Sequence, residues 1–171
     1  MSIINILSET DSEIINLSEI KNFLRIDFED DDNLLKRLLK SAIKRCELYI
    51  SQSLNLKTYQ LSLYKIDKEI KLIYPPIINI TSINIVDKNN NSIEFKNYIF
   101  DKISNKIIFN NIPSNFYRVD IIYEAGYTEV PDDLKQALLF HISKMYEDKN
   151  GYSPIPKASL NIYRNYRTIR I

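Results

Sequence analysis

The chain of 171 residues has few of the residues on which many protein chemistries depend: one cysteine, one histidine, two glycines and no tryptophan. The single cysteine, Cys46, excludes an internal disulfide framework and fits a reducing compartment. With glycine only at Gly126 and Gly151, no glycine-rich phosphate loop can form. No apolar run approaches the roughly 18 residues of a membrane span, and no basic residue precedes Lys21. We therefore expect neither a membrane protein nor a secretory signal.

The candidates for catalysis or metal binding are weak. His141 falls on the apolar face of a predicted helix, and no second histidine exists to complete a metal site or a Ser/His/Asp triad. Cys46 also faces an apolar arc, as a packing residue would. The stretch after Asp87 resembles half of a calcium loop but lacks its glycine and its final glutamate, so it predicts a hairpin turn. Helix capping explains one of the acids in 29–32, and the helix dipole explains the others. The sequence therefore predicts no catalytic, cofactor or metal site, and no enzyme.

Charged residues are distributed unevenly along the chain, although the net charge is only +1. Residues 9–32 contain nine acids and two basic residues, whereas residues 149–171 contain five basic residues and no acid. Segments of opposite sign can pair within a chain, between copies or with a partner.

Two helices are predicted near the N-terminus, within residues 18–53. Ser18 is the predicted N-cap of the first helix, and Asp31 or Asp32 that of the second, "NLLKRLLKSAIKRCELYI". The apolar residues of the second helix cover an arc of about 180°, wider than the roughly 100° that packing on one side needs. They are Leu34, Leu35, Leu38, Leu39, Ala42, Ile43, Cys46, Tyr49 and Ile50. We expect this helix to pack on two sides.

Residues 58–124 change to a two-residue period with frequent turn residues, which predicts six or seven short antiparallel strands. The stretch "YEAGYTEVPDDLKQA" then joins the last strand to a helix over 131–148. Gly126 suits a turn with positive φ or a close backbone approach, and Pro131 suits the first helical position. Asp132 and Asp133 suit the positive end of the helix dipole.

The element order predicts one α+β domain over residues 1–171. In this arrangement the N-terminal helices and the C-terminal helix pack together, with an inserted antiparallel β-sheet or small sandwich between them in sequence. An extended C-terminal arm, residues 152–171, follows the last helix.

This arm alternates aromatic or aliphatic with basic residues: Tyr163, Arg164, Tyr166, Arg167 and Arg170. Three interpretations stay open from the residues alone. The arm is a solvated terminus, a protein interface rich in tyrosine and arginine, or a nucleic-acid contact through phosphates and stacked bases. Phe140 lies off the apolar arc of its helix and is consistent with a neighbouring subunit.

Several of these stretches together resemble one known family, the head–tail connector (adaptor, or head-completion) proteins of tailed phages. The section "VDIIYEAGYTEVPDDLKQALLFHISKMYED" is similar to the C-terminal signature of that family. The matching positions are Tyr123, Ala125, Gly126, Tyr127, Pro131, Leu134, Ala137, Tyr146 and Glu147. The opening "LSEIKNFLRIDFEDDDNLLKRLL", the strand "YPPIINITSINIVD" and the basic "YRNYR" also resemble the family, so the likeness spans nearly the whole chain.

The resemblance implies a structural virion protein without cofactors, located in the neck and assembled in the host cytoplasm, from a free phage or a prophage. Members of the family form a ring, typically of twelve copies, beneath the portal protein. The ring extends the DNA channel, where any contact with DNA is expected to be non-specific, and supports stopper or tail-completion proteins.

The resemblance also assigns roles to residues. The arm residues Tyr163, Arg164, Tyr166, Arg167 and Arg170 are expected to dock on the portal. Leu35, Leu39, Ile43 and Phe140 are expected at the contact between subunits. The alternatives within the neck are a stopper or a tail-completion protein. A nucleic-acid-binding module that uses the basic tail is an alternative of a different class.

Overall fold

A computed structural model describes residues 2–10, 13–111, 115–148 and 153–168. The chain divides into two compact units. The first, called the β unit here, is Met1–Asp11 with Asn55–Tyr127. The second, called the helical unit, is Ser12–Leu54 with Thr128–Ile171. The α+β class is confirmed, and the strands within residues 57–125 are inserted between helices as the element order predicts. The expectation that the whole chain acts as one domain stays a prediction.

The described part of the β unit contains eight strands in two antiparallel sheets. They are β1 Ser2–Glu9, β2 Lys57–Leu63, β3 Glu69–Lys71, β4 Ile77–Val86, β5 Ser92–Glu94, β6 Tyr98–Asp101, β7 Lys106–Phe109 and β8 Arg118–Ala125. The order is β1-β2-β8-β4-β5 in one sheet and β3-β7-β6 in the other. Alternate residues of β2, β4, β7 and β8 are buried and form one apolar core with both sheets.

Strand β1 is the strand that the sequence does not predict. It pairs antiparallel with β2, from Ser2 opposite Leu63 to Glu9 opposite Lys57. Almost all its residues are exposed, Ile6 and Leu7 among them. Since neither face of β1 is fully buried, its sequence has no alternating pattern, and its conformation depends on the ladder with β2.

The turn after β8 needs its glycine for two reasons. Gly126 has φ of 129°, a conformation that side-chain-bearing residues rarely adopt. A Cβ there would lie 2.1 Å from the carbonyl oxygen of Asn55, far inside van der Waals contact. The Gly126 N–H donates to the Pro76 carbonyl at 2.9 Å. The helix begins at Asp132, so Pro131 is its N-cap residue and not, as predicted, its first helical residue.

The described part of the helical unit contains four helices: α1 Leu17–Leu24, α2 Asp32–Ile50, α3 Asp132–Glu147 and α4 Lys157–Tyr166. Helices α1, α2 and α3 contact one another, as predicted. The N-cap of α1 is Asn16, not Ser18, because the Asn16 side chain accepts the Glu19 N–H at 2.8 Å. Asp31 is the N-cap residue of α2, without a side-chain capping bond.

The extended C-terminal arm is the part of the predicted fold that is wrong. Residues 157–166 form α4, which packs against α2 and α3. Pro156 is at the N-cap, and the Leu160 N–H donates to its carbonyl at 2.9 Å. The helix forms because Ser159, Tyr163 and Tyr166 are spaced four and three residues apart and so share one face.

Candidate functional site

The predicted docking arm is anchored to the rest of its own helical unit. Tyr163 has no exposed surface, and Ser159, also buried, donates its hydroxyl to the Ala137 carbonyl at 2.7 Å. The ring of Tyr163 lies 6.3 Å from that of Tyr49 in α2 and 6.3 Å from that of His141 in α3. The prediction that Tyr163 is a docking residue is therefore incompatible with its burial.

The end of α4 and the residues that follow it are also held. The Tyr166 hydroxyl donates to Asp133 at 2.6 Å, and the Thr168 N–H donates to the Ile50 carbonyl at 2.8 Å. The Arg167 guanidinium lies over the Tyr49 ring, 5.6 Å from its centroid. Arg164 and Arg167 are nevertheless exposed, so of the five predicted arm residues these two are the most accessible among those described. Arg170 lies outside the described residues.

A small polar cluster lies inside the helical unit around Tyr163. Burial, with a smaller contribution from the Arg45 charge, lowers the pKa of His141 to about 4. Burial also raises the pKa of the Cys46 thiol to about 12 and raises the pKa of Tyr163 above its ordinary value. All three groups are therefore neutral at pH 7. A protonated, buried thiol is a poor nucleophile, which agrees with the packing role predicted for Cys46.

The four residues predicted to contact a neighbouring subunit have different surroundings. Leu35 is fully buried in its own chain, which contradicts its assignment to a subunit contact. Phe140 is half-buried, and its ring packs edge-on against Phe23 at 5.9 Å, so a contact in its own chain accounts for much of its surface. Leu39 and Ile43 are half-buried on α2 and retain surface that a neighbour could cover.

The exposed face of α2 contains a group of cations that the sequence analysis did not single out. Lys36, Arg37, Lys40 and Lys44 are all exposed, and we call them the α2 basic stripe. Lys36, Lys40 and Lys44 follow at intervals of four residues and Arg37 lies three residues before Lys40, which places all four on one side of the helix. Recurrence of basic residues at this spacing, with no acid between Asn33 and Cys46, is the signal that could have identified them.

The acids just before and at the start of α2 divide into two sets. Asp32 forms an ion pair with Lys21, with 2.8 Å between Oδ1 and Nζ. Asp31 accepts the Tyr146 hydroxyl, a hydrogen bond that raises the pKa of Tyr146. The remaining acids, Asp27, Glu29 and Asp30, are exposed and flank Phe28, which is 46% exposed. We call residues 27–30 the acidic loop.

The stretch after Asp87 forms the predicted hairpin turn. The Asp87 carboxylate accepts the backbone N–H groups of Asn89 at 2.8 Å and Asn91 at 2.9 Å, and also the Asn91 amide. These bonds lower the pKa of Asp87. Within the described ranges, no group of three or more His, Cys, Asp or Glu side chains is placed to hold a metal ion. No helix in the same ranges is both long and apolar enough to cross a membrane.

A family model described as "Head completion protein" matches residues 13–168, which is most of the chain. Chains of similar fold occur in three solved structures of gene transfer agent (GTA) particles. Each covers 99% of this chain and 97% of its own. They are "Neck of empty GTA particle computed with C6 symmetry" (20% identity, TM-score 0.81), "Virion of native gene transfer agent (GTA) particle" (20%, 0.82) and "Neck of native GTA particle computed with C12 symmetry" (21%, 0.79). No curated protein sequence matches the chain.

Proposed function

The chain belongs to the head completion protein family, and from this premise we propose that it forms a closed ring in the neck of a tailed-phage-like particle, between the portal and the tail. The observation that carries the proposal is the family match over residues 13–168, which includes most of the described part of both units. The family consists of structural virion components. The protein accordingly acts by assembling, and its geometry sets the width and position of the channel for DNA.

The ring is supported by the symmetry of solved structures that share the fold. Two of them are necks computed with C6 and C12 symmetry. Cyclic symmetry needs a contact in which one surface of a copy meets a different surface of the next, and the rotation must close. A ring of twelve copies is the expected stoichiometry, and C6 symmetry is a subset of it.

Portal docking is assigned to the exposed side of α4 in place of an extended arm. Arg164 in α4 and Arg167 at its C-cap are exposed, and Arg167 is oriented by its contact with Tyr49. Guanidinium groups are favoured at protein interfaces because they form directed, often bidentate, bonds with carboxylates. Tyr163 contributes only by holding α4 in place. DNA contact, where it occurs, is independent of sequence and made to phosphates.

The test is to mix the purified protein with its cognate portal protein and to image the mixture by negative-stain electron microscopy. The expected result is a second ring stacked on the portal ring. The variant with Arg164→Ala and Arg167→Ala should lose stacking while keeping its circular dichroism spectrum. A matched control, Lys88→Ala with Lys102→Ala, removes two exposed cations from the β unit and should stack normally.

The other outcomes separate the alternatives. Stacking that survives loss of both arginines keeps the ring and removes α4 from the portal contact. A folded protein that never binds the portal, but does bind a portal already carrying another neck protein, contradicts the proposal and identifies a stopper or tail-completion protein.

A further inference from the structure

The α2 basic stripe is a surface of one charge sign. The exposed residues of α2 are Asn33, Lys36, Arg37, Lys40, Ser41, Lys44 and Leu48, with no acid among them. Lys36, Lys40 and Lys44 follow one another at a spacing of four residues, at which like charges repel along a helix. None of the exposed residues of α2 therefore compensates the stripe.

In the described ranges of the chain the stripe cations also lack acidic partners outside α2. Within the part of the chain that the structure describes, none of the four stripe side chains has a carboxylate within ion-pair distance. Other cations do have one, such as Lys21 with Asp32 at 2.8 Å and Lys57 with Glu9 at 3.2 Å. The stripe is thus a set of four cations available to a partner.

The acidic loop has the complementary properties. Asp27, Glu29 and Asp30 are exposed and, among the described residues, have no ion pair or side-chain hydrogen bond. Phe28, between them, adds an exposed ring. The stripe is bordered by apolar surface as well: Leu48 is 62% exposed, and Ile43 is half-buried beside Lys36 and Lys40 on the helical wheel. Each surface combines charge with an apolar contact.

The loop and most of the stripe cannot meet within one chain. The loop ends where α2 begins, and at 1.5 Å per residue Lys40 and Lys44 lie about 12 and 18 Å along the helix from Asp32. The carboxylate at the first residue of α2, that of Asp32, is already bound to Lys21. The acidic loop of the same chain therefore leaves the far end of the stripe open to another molecule.

We propose that the acidic loop of one copy docks on the α2 basic stripe of the next, and that this is the contact that closes the ring. The inference rests on the proposed function and names the surfaces that it requires. The two surfaces differ, as a head-to-tail contact demands. Leu39 and Ile43, expected at the subunit contact from the sequence, lie beside the stripe. Because the contact is mostly electrostatic and exposed, it should be salt-sensitive and should close rings only when the local concentration is high.

Cross-linking tests the contact directly. In the double variant Asp30→Cys with Lys44→Cys, the two positions are too far apart for an internal disulfide, which needs Cα atoms within about 7 Å. Cys46 does not interfere, because it is fully buried. Oxidation of assembled rings should give a ladder of covalent oligomers on a non-reducing gel. Each single variant can give no species larger than a dimer. The control pair, Asp30→Cys with Lys96→Cys, uses an exposed lysine of the β unit and should give no ladder.

Charge reversal with rescue provides the second test. Changing Lys36, Lys40 and Lys44 to Glu should weaken self-association at least tenfold in sedimentation equilibrium at low salt. Changing Asp27, Glu29 and Asp30 to Lys should have the same effect, and the chain carrying both reversals should recover. A control with Lys65→Glu, Lys88→Glu and Lys102→Glu has the same net charge as the stripe reversal but should associate normally.

The remaining outcomes overturn the inference in distinguishable ways. Rings that form on the portal without the ladder, and that tolerate both reversals, leave the proposed function intact and remove this contact. If the stripe reversal abolishes salt-dependent retention of duplex DNA but leaves self-association unchanged, the stripe binds DNA and not a neighbouring copy. A protein that forms no ring with its portal contradicts the contact and the proposed function together.

Discussion

The β unit and the helical unit treat their polar groups differently. In the described β unit no buried side-chain polar atom lacks a hydrogen-bond partner. Buried Ser62 donates to Asp120 at 2.6 Å, and Arg118 pairs with the same carboxylate at 3.0 Å. In the described helical unit the Nε2 atom of buried His141 has no partner. That unit also carries the unpaired α2 basic stripe and acidic loop.

This difference separates two tasks. The β unit is held by an apolar core of both sheets and by stacked tyrosines, with Tyr59 5.2 Å from Tyr74 and 5.5 Å from Tyr123. Its interior groups need nothing from outside. The helical unit uses a buried tyrosine to fix its C-terminal helix. It also contains the α2 basic stripe and the acidic loop, to which we assign the contact between copies.

Removing the ring of Tyr163 should have the largest effect on stability. Tyr163→Ala deletes a fully buried aromatic ring that holds α4 on α2 and α3, and large-to-small changes of this kind cost about 3–5 kcal/mol. Urea denaturation followed by circular dichroism measures the loss. Tyr163→Phe keeps the ring and should cost about 1 kcal/mol. Equal losses for the two variants would show that the hydroxyl, not the packing, holds the helix.

Gly126→Ala should have the next largest effect, this time in the β unit. A Cβ at Gly126 clashes with the backbone of Asn55 and Leu56, which cannot move aside as a side-chain end can, and φ of 129° adds strain. We expect a loss of about 3 kcal/mol in the free energy of unfolding. Thr128→Ala, at an exposed position nearby, should change it by less than about 0.5 kcal/mol. A stable Gly126→Ala variant would contradict the close approach.

The buried histidine should make stability depend on pH. Burial lowers the pKa of His141 to about 4, whereas an unfolded histidine titrates near 6.5. Between these values the unfolded chain binds the proton and the folded one does not, so stability falls as pH falls. At pH 5 the loss should be about 2 kcal/mol relative to pH 7.5. The measurement is urea denaturation at both pH values. His141→Gln should remove most of the difference, and an unchanged difference would mean that His141 does not cause it.

The smallest expected effect is at the surface of the helical unit. Arg167→Ala removes an exposed cation–π contact with Tyr49 and should lower the free energy of unfolding by about 0.5–1 kcal/mol. Arg167→Lys should recover part of this. A loss above about 2 kcal/mol would show that this surface stabilises the fold and is not available mainly for a partner.

The main features of the fold could be predicted because they depend on local patterns. The resemblance built on "YEAGYTEVPDDLKQA" and "LRIDFEDDD" is confirmed by the family match. The positive φ and the close backbone approach at Gly126 could be predicted, because glycine is rare in this chain and this one stands between a strand and a helix. Strand β1 could not be predicted, because its partner β2 lies about 50 residues away and neither of its faces is buried.

The predicted site was less accurate because burial depends on tertiary contacts. The alternation of aromatic and basic residues around Tyr163 was interpreted as an extended arm. The spacing of Ser159, Tyr163 and Tyr166, directly after Pro156, indicates a helix with one packed face equally well. Leu35 and Leu39 belong to the same apolar arc, yet only the contacts of α2 decide that the first is buried and the second half-exposed.

The most direct test of the account is to determine the structure of the neck of assembled particles by electron cryomicroscopy. The account predicts a closed ring of this chain next to the portal, with neighbouring copies in contact through their helical units. Particles whose neck lacks this chain, or contain it as a single copy outside a ring, would contradict it.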